Sequence, residues 1–329
     1  MKVYTNFGIL PQKLKDLYQT DQGVHCQFSS LANVVNYYNP NIKSSNLFFN
    51  GGYFKTHYRF EEGQCLSDIR LTNEFGKIYK KFFLKNQIKN QIIEYQENEN
   101  EFRNYIKNEV DNFRPVLVAV MTNYLNYSSS YQTGYTNKHF IVILDVTKNG
   151  YIISDCFVPT HPSSLFVGEI EKEVFWNAFS AFKKTIISLE SEKISKLQAT
   201  NNKKFHIESN NFEDEELSIF ANDLRRLPEL FSEKEIYEQI PSLCFKIQFD
   251  SIIPARKMLL KAFDEYPSGV GTVYKEKVQE FIYRWQNIVY ILIKISRRLS
   301  QQSLNRLNES VLSLLEDEKR FFKSVMEEN

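Results

Sequence analysis

The chain has 329 residues, 42% hydrophobic and 25% charged, the mix of an ordinary globular protein of about two domains. A formal net charge of +1 excludes the basic excess of a general nucleic-acid binder, and four cysteines without a CxxC pair exclude a disulfide scaffold. Residues 1–10 show no signal-peptide pattern, and the most apolar run, Ile288–Ile295, is too short to span a bilayer, so a reducing, cytoplasmic setting with no membrane contact is expected.

The first element in the chain is Cys26–Tyr38 (CQFSSLANVVNYY). Leu31, Val34, Val35 and Tyr38 fall at helical spacing, and Pro40 ends the helix. The residues before it, Asp21–His25, read as a loop, so Cys26 stands where a helix begins. Glu99–Asn112 reads as a second amphipathic helix with Phe102, Ile106 and Val110 on one face. Pro115–Met121 (PVLVAVM) and His139–Val146 (HFIVILDV) are short, apolar, β-branched runs, which predict buried strands. Thr147–Gly150 is a turn signal, and Tyr151–Cys156 (YIISDC) returns as a third strand, making a β-hairpin.

Between Ser191 and Glu216 the sequence turns polar. The expected division is therefore 1–195, an α+β domain with an antiparallel sheet, and 210–329, a helical domain. Val278, Phe281, Trp285, Ile288, Val289, Leu292 and Ile295 make one apolar stripe. Leu304, Leu307, Val311, Leu314, Leu315 and Phe322 make another. Such stripes ordinarily face a core.

Three residue types in this order carry chemistry. A thiol at a helix start meets the positive end of the helix dipole, which favours the nucleophilic thiolate. The unpaired N–H groups of the first turn can hold an oxyanion. His139 opens a strand, where an imidazole can take the thiol proton. Asp155 lies 16 residues further on (155 − 139), on the returning strand, and would orient the imidazole. An ideal turn at Asn149-Gly150 does not set Asp155 opposite His139, whereas a longer loop or a bulge brings them closer. His57 and Arg59 are candidates for holding an anionic group. His25, Cys65, Cys156 and His161 match no zinc spacing, so no metal is expected.

These motifs resemble a known family. Gly23–Asn33 (GVHCQFSSLAN), Ser44–Phe60 (SSNLFFNGGYFKTHYRF), Tyr124-Leu125-Asn126-Tyr127, His139–Val142 and Ile153-Ser154-Asp155 are similar, in order and spacing, to the blocks of the butirosin biosynthesis protein H family. The resemblance runs over roughly residues 12–165. It implies a papain-like fold related to the C39 peptidases, with Cys26, His139 and Asp155 as the catalytic set. It also implies acyl transfer in place of proteolysis, since the family's named member moves an acyl chain from an acyl carrier protein to an amine of an aminoglycoside. The expected donor is the phosphopantetheine thioester of a carrier protein, the acceptor a small-molecule amine, with no further cofactor and no nucleic acid. The oligomeric state stays open, a homo-oligomer included.

Gln22, His25, Gln27, Tyr53 and Tyr127 are expected around the oxyanion and the substrate. Peptidases of this fold place a Gln shortly before the Cys. Gln22 is the first choice for that donor, with Gln19 and a plain loop role left open. Two departures stand out. Cys156 follows Asp155 where the family tends to have Pro, and the Gly-rich block has only Gly51 and Gly52 adjacent. A C39-like peptidase or amidase would use the same residues with water as acceptor, and a non-catalytic binding protein could share the scaffold.

Overall fold

The computed structural model describes residues 18–44, 47, 56–61, 63–73, 75–96, 98–129, 131, 136–158, 164–197, 215–265 and 272–327. The layout is α+β, an antiparallel sheet followed by a helical C-terminal part. In chain order the elements are α1 (Cys26–Tyr38), β1 (Thr56–Arg59), β2 (Arg70–Asn73), α2 (Phe75–Lys85), β3 (Asn90–Glu94) and α3 (Glu99–Asp111). Then come β4 (Val116–Met121), β5 (Lys138–Val146), β6 (Gly150–Asp155), β7 (Phe166–Glu171), α4 (Lys172–Ser180), β8 (Thr185–Leu189) and α5 (Ser191–Ser195). The C-terminal helices are α6 (Glu215–Arg225), α7 (Leu227–Leu230), α8 (Glu233–Phe245), α9 (Ile252–Glu265), α10 (Thr272–Arg297) and α11 (Gln301–Glu327). None of the described helices is long and apolar enough to cross a membrane.

The chain forms two compact units. One comprises Met1–Ser44 and Lys80–Ala199, the other Ser45–Tyr79 and Thr200–Asn329. The sheet of the first unit has the order β3-β8-β4-β5-β6-β7, with every neighbouring pair antiparallel. Helix α1 packs on β4 and β5, as does α3, while α4 packs on β4, β6 and β7. Covering by helices explains why β4 reads as an unbroken apolar run, with Val116–Val120 all buried. Phe102, Ile106 and Val110 of α3 meet Phe175 and Phe179 of α4 and Val118, Ile141 and Ile153 of the sheet. The Phe102 ring lies 4.6 Å from Phe179 and 5.7 Å from Phe175. Burying one such side chain contributes about 1.5–3 kcal/mol. Asn98 caps α3 by accepting from the Asn100 and Glu101 amides, a contribution of about 1 kcal/mol.

The register of β5 on β6 decides where the chemistry lies. Near the turn Val146 pairs with Tyr151 and Asp145 with Ile152; past a bulge, Ile143 pairs with Ile153 and Val142 with Ser154. Leu144 is the extra residue. Extended from Val142 and Ser154, this register sets Asp155 opposite Ile141, on the same face as His139. Without the bulge Asp155 would oppose Val142 and point to the other face, because a one-residue slip inverts every side chain.

The second unit holds the β1–β2 hairpin together with the helices. This differs from the expected assignment of residues 45–79 to the N-terminal domain. Among the described residues the hairpin pairs only with itself, and α6 covers it. Tyr58 donates to Asp223 at 2.8 Å, and the Glu216 carboxylate accepts from the Tyr58 amide and meets His57 Nδ1 at 3.2 Å. Both apolar stripes of α10 and α11 are buried. Between these helices and α9, Arg256 pairs with Glu318 at 2.6 Å, and Trp285 donates to the same carboxylate at 3.0 Å. The polar stretch 198–214 lies outside the described residues, as do Gly51, Gly52, Tyr53 and His161.

Gly150 does not need a left-handed backbone; it needs the absence of a side chain. A Cβ there would sit 1.9 Å from the Ile170 carbonyl oxygen of β7. Gly150→Ala should therefore push β7 off β6 and destabilise the protein by about 1–3 kcal/mol, read as a lower urea midpoint in equilibrium unfolding.

Candidate active site

Cys26 is the first residue of α1 and is half-buried. The helix starts there because His25 is its N-cap: extended backbone, with Nδ1 accepting from the Phe28 amide. The Cys26 amide lies in the first turn, where a helix offers no backbone acceptor. The loop before it is held from inside the helix. Ser29 Oγ accepts from the Val24 and His25 amides at 3.1 and 3.4 Å, and Asn33 donates to the Asp21 carbonyl at 3.3 Å.

His139 is buried near the start of β5, and Asp155 is buried at the end of β6. His139 Nε2 lies 2.7 Å from Asp155 Oδ2, and the Cys26 sulfur also acts on the ring. Burial opposes a charged His139, but the Asp155 carboxylate and the Cys26 sulfur outweigh it and raise the imidazole pKa well above its usual value. Asp155 takes three donors in all. Oδ2 also accepts from the Tyr127 hydroxyl at 3.0 Å, and Oδ1 accepts from the Phe157 amide at 3.0 Å. Tyr127 is stacked on Phe166, ring centroids 4.0 Å apart and nearly parallel. Burial and then Asp155 raise its pKa, so it stays a hydroxyl donor.

The structure thus brings Cys26, His139 and Asp155 into one line of interaction. The residues expected around the oxyanion and substrate divide. Gln22 is exposed in the loop, and Gln27 is half-buried in the first turn of α1. His25 is spent on the cap, and burial, then His139, push its pKa down to about 3, so it is a neutral ring beside the charged one. Tyr127 stands behind the carboxylate, inside the fold, and supports Asp155. Tyr53 lies outside the described residues. Three supports were not foreseen: Ser29, Asn33 and the Phe157 amide. The first two belong to the Cys26 motif, and their polarity on an otherwise apolar helix face was the available signal.

The other thiols differ. Burial pushes Cys156 up, and pushes Cys244 up to about 12, while Cys65 is exposed. Among the described residues no group of His, Cys, Asp or Glu could hold a metal ion.

Comparison with known proteins bears on this geometry. Residues 25–156 match the model of a protein family described as Butirosin biosynthesis protein H, N-terminal. The resemblance of the motifs is thus shown. The match opens on the cap of α1 and closes one residue after Asp155, so all three residues of the line fall within it. It ties this segment to a family named for butirosin biosynthesis. A search of the curated proteins finds no match to the chain.

Two outcomes follow. At neutral pH iodoacetamide should label Cys26 faster than Cys65, despite the exposure of Cys65; peptide mass spectrometry of the native protein reads the rates, and equal rates would remove Cys26 as nucleophile. In an NMR titration His139 should stay protonated well above pH 6.5. Asp155→Asn removes a charge that holds the proton, so the midpoint should move down; an unchanged midpoint would contradict the ion pair.

Proposed function

We propose that this chain is a cysteine-dependent acyltransferase that takes an acyl group from a thioester onto Cys26 and passes it to an amine in specialised-metabolite biosynthesis. The observation that carries the reading is the His139 imidazole, bonded to the buried, triply hydrogen-bonded Asp155 and acted on by the Cys26 sulfur. The family match supports a biosynthetic role for the segment that contains them.

In the first half-reaction the Cys26 thiolate attacks the thioester carbonyl. The oxyanion forms beside the first turn of α1, where the Cys26 amide has no helical acceptor and can donate to it. Collapse expels the donor thiolate, which takes the proton from His139. In the second half-reaction the amine attacks the acyl–Cys26 thioester, neutral His139 accepts the amine proton, and Cys26 leaves as thiolate beside the imidazolium. Asp155 keeps its charge throughout, and Tyr127 holds it in place. The resemblance of the motifs points to a carrier protein's phosphopantetheine arm as donor. All four cysteines are free, which suits a reducing compartment such as the cytoplasm.

The test is intact-protein mass spectrometry with acyl-pantetheine or acyl-carrier-protein thioesters. Wild type should gain one acyl group that an amine discharges. Cys26→Ala should gain none, His139→Ala should gain it roughly 10²–10⁴-fold more slowly, and Asp155→Asn should fall between. An adduct that persists in Cys26→Ala would overturn the nucleophile. Discharge by water as fast as by any amine would make the protein a hydrolase.

A further inference from the structure

Two of the four free cysteines, Cys26 and Cys156, lie in the first unit, and the other two lie in the second. Cys156 is 1% exposed, and the proposed reaction does not use its thiol. Hydrogen bonds fix it on both sides of Cys26. Its carbonyl accepts from the amide of Gly23 at 2.7 Å, three residues before the nucleophile (26 − 23). Its Sγ lies 3.3 Å from Oγ of Ser30, four residues after it (30 − 26).

Four residues make one turn of helix, about 6 Å along the axis. A helical side chain leans toward the N-terminus, so Ser30 Oγ reaches back over the turn that Cys26 opens. Cys156 Sγ meets that oxygen and therefore packs against the same first turn. Ser30 Oγ gives its own hydrogen to the Phe140 carbonyl at 3.1 Å. The Cys156 thiol is then the donor of the pair and is held as S–H. Burial first, then the Asp155 charge, push its pKa well up, which keeps the proton on it. The first turn of α1 thus carries a half-buried thiol at the helix start and a buried, protonated thiol packed against it. A reactive cysteine poised next to a second thiol is the arrangement of redox-sensing sites.

We infer that Cys156 is a resolving thiol for Cys26, and that peroxide closes a reversible Cys26–Cys156 disulfide in place of destroying the nucleophile. The inference rests on the proposed reading of Cys26 as the reactive thiol. In the first step the Cys26 thiolate attacks one oxygen of hydrogen peroxide. An S–O bond forms, the O–O bond breaks, and hydroxide leaves with the His139 proton as water. Cys26 is oxidised by two electrons to the sulfenic acid. In the second step the Cys156 sulfur attacks the Cys26 sulfur. The S–S bond forms, the S–O bond breaks, and the thiol proton leaves with the hydroxide as a second water. A disulfide needs Cα atoms about 4.4–6.8 Å apart. Cys26 adjusts to that span as the first residue of α1, because its own amide is outside the helical ladder. The disulfide switches the site off, and a reducing thiol reopens it. Without Cys156, the sulfenic acid meets more peroxide and becomes sulfinic acid, which thiols do not reverse.

The experiment exposes the reduced full chain to hydrogen peroxide and reads intact mass and non-reduced peptides. Wild type should lose two hydrogens and keep no oxygen, with the Cys26 peptide joined to the Cys156 peptide. Iodoacetamide labelling of Cys26 should be lost and should return in full with dithiothreitol. Cys156→Ser should instead hold oxygen on Cys26, and its labelling should not return. Cys156→Ala, which buries no hydroxyl, should behave alike. Cys65→Ser and Cys244→Ser should behave as wild type. Oxygen retained on wild-type Cys26, or a link from Cys26 to any other cysteine, overturns the resolving role alone and leaves the nucleophile in place. Cys26 untouched by peroxide in every protein overturns the reactive thiol and the disulfide with it.

Discussion

One extra residue in one strand determines whether this site exists. His139 stands before the bulge at Leu144, and Asp155 lies on the partner strand beyond it. With the bulge, both side chains project from one face and meet at 2.7 Å. With a regular ladder they would be separated by the sheet itself. A bulge leaves a residue out of the pairing and bends the strand, which costs stability locally. Here that cost is offset by the packing of Leu144, which is buried, and of Ile141 and Ile143 in the core beneath α3 and α4.

Burying a carboxylate is itself unfavourable, and Asp155 is 1% exposed. It is tolerated because three donors hold it: the His139 ring, the Tyr127 hydroxyl and the Phe157 amide. Removal of one partner from a buried pair typically costs about 3–5 kcal/mol, because the other charge is left uncompensated. The arrangement is therefore a poor device for stability and a good one for fixing a ring. Tyr127 and His139 share Oδ2, so the tyrosine fixes the position of the very atom that orients the imidazole. The stack of Tyr127 on Phe166 anchors it to β7, the strand next to Asp155's own. The chain of support runs from an aromatic stack, through a hydroxyl and a carboxylate, to the imidazole.

Much of this was legible in the sequence, for physical reasons. A helix start shows in the loss of apolar periodicity before Cys26, and buried strands show as β-branched runs. The hairpin shows in its turn residues. What failed to show was anything set by pairing between distant segments. VILDV carries no mark of a bulge at Leu144, since a bulge changes the partner of a residue and not its type. Tyr127 looked like a substrate contact because sequence gives no direction to a side chain in a loop. The hairpin at 56–73 looked like part of the first domain because it follows α1 in the chain, yet Tyr58 and Asp223 are 165 residues apart when they bond. Gly150 suggested a turn glycine, while its cause is the Ile170 carbonyl beside it.

The loop before the nucleophile shows how a departure from a family pattern can be harmless. Gly23 donates its amide to the Cys156 carbonyl at 2.7 Å, and so ties the segment entering Cys26 to the strand end that bears Asp155. The approach is close enough that a Cβ on Gly23 would lie 2.4 Å from Ser29 Cβ. Ser29 in turn holds the two amides that follow Gly23, so nucleophile, loop and acid-bearing strand are fixed to one another through backbone groups. At position 156 the contribution to this tie is a main-chain carbonyl, and proline offers the same carbonyl as cysteine. The side chain is left free to pack, and Cys156 Sγ lies 3.3 Å from Ser30 Oγ within the buried face of α1. The constraint at this position is on where the backbone oxygen points, which β6 sets, and the residue type is secondary to it.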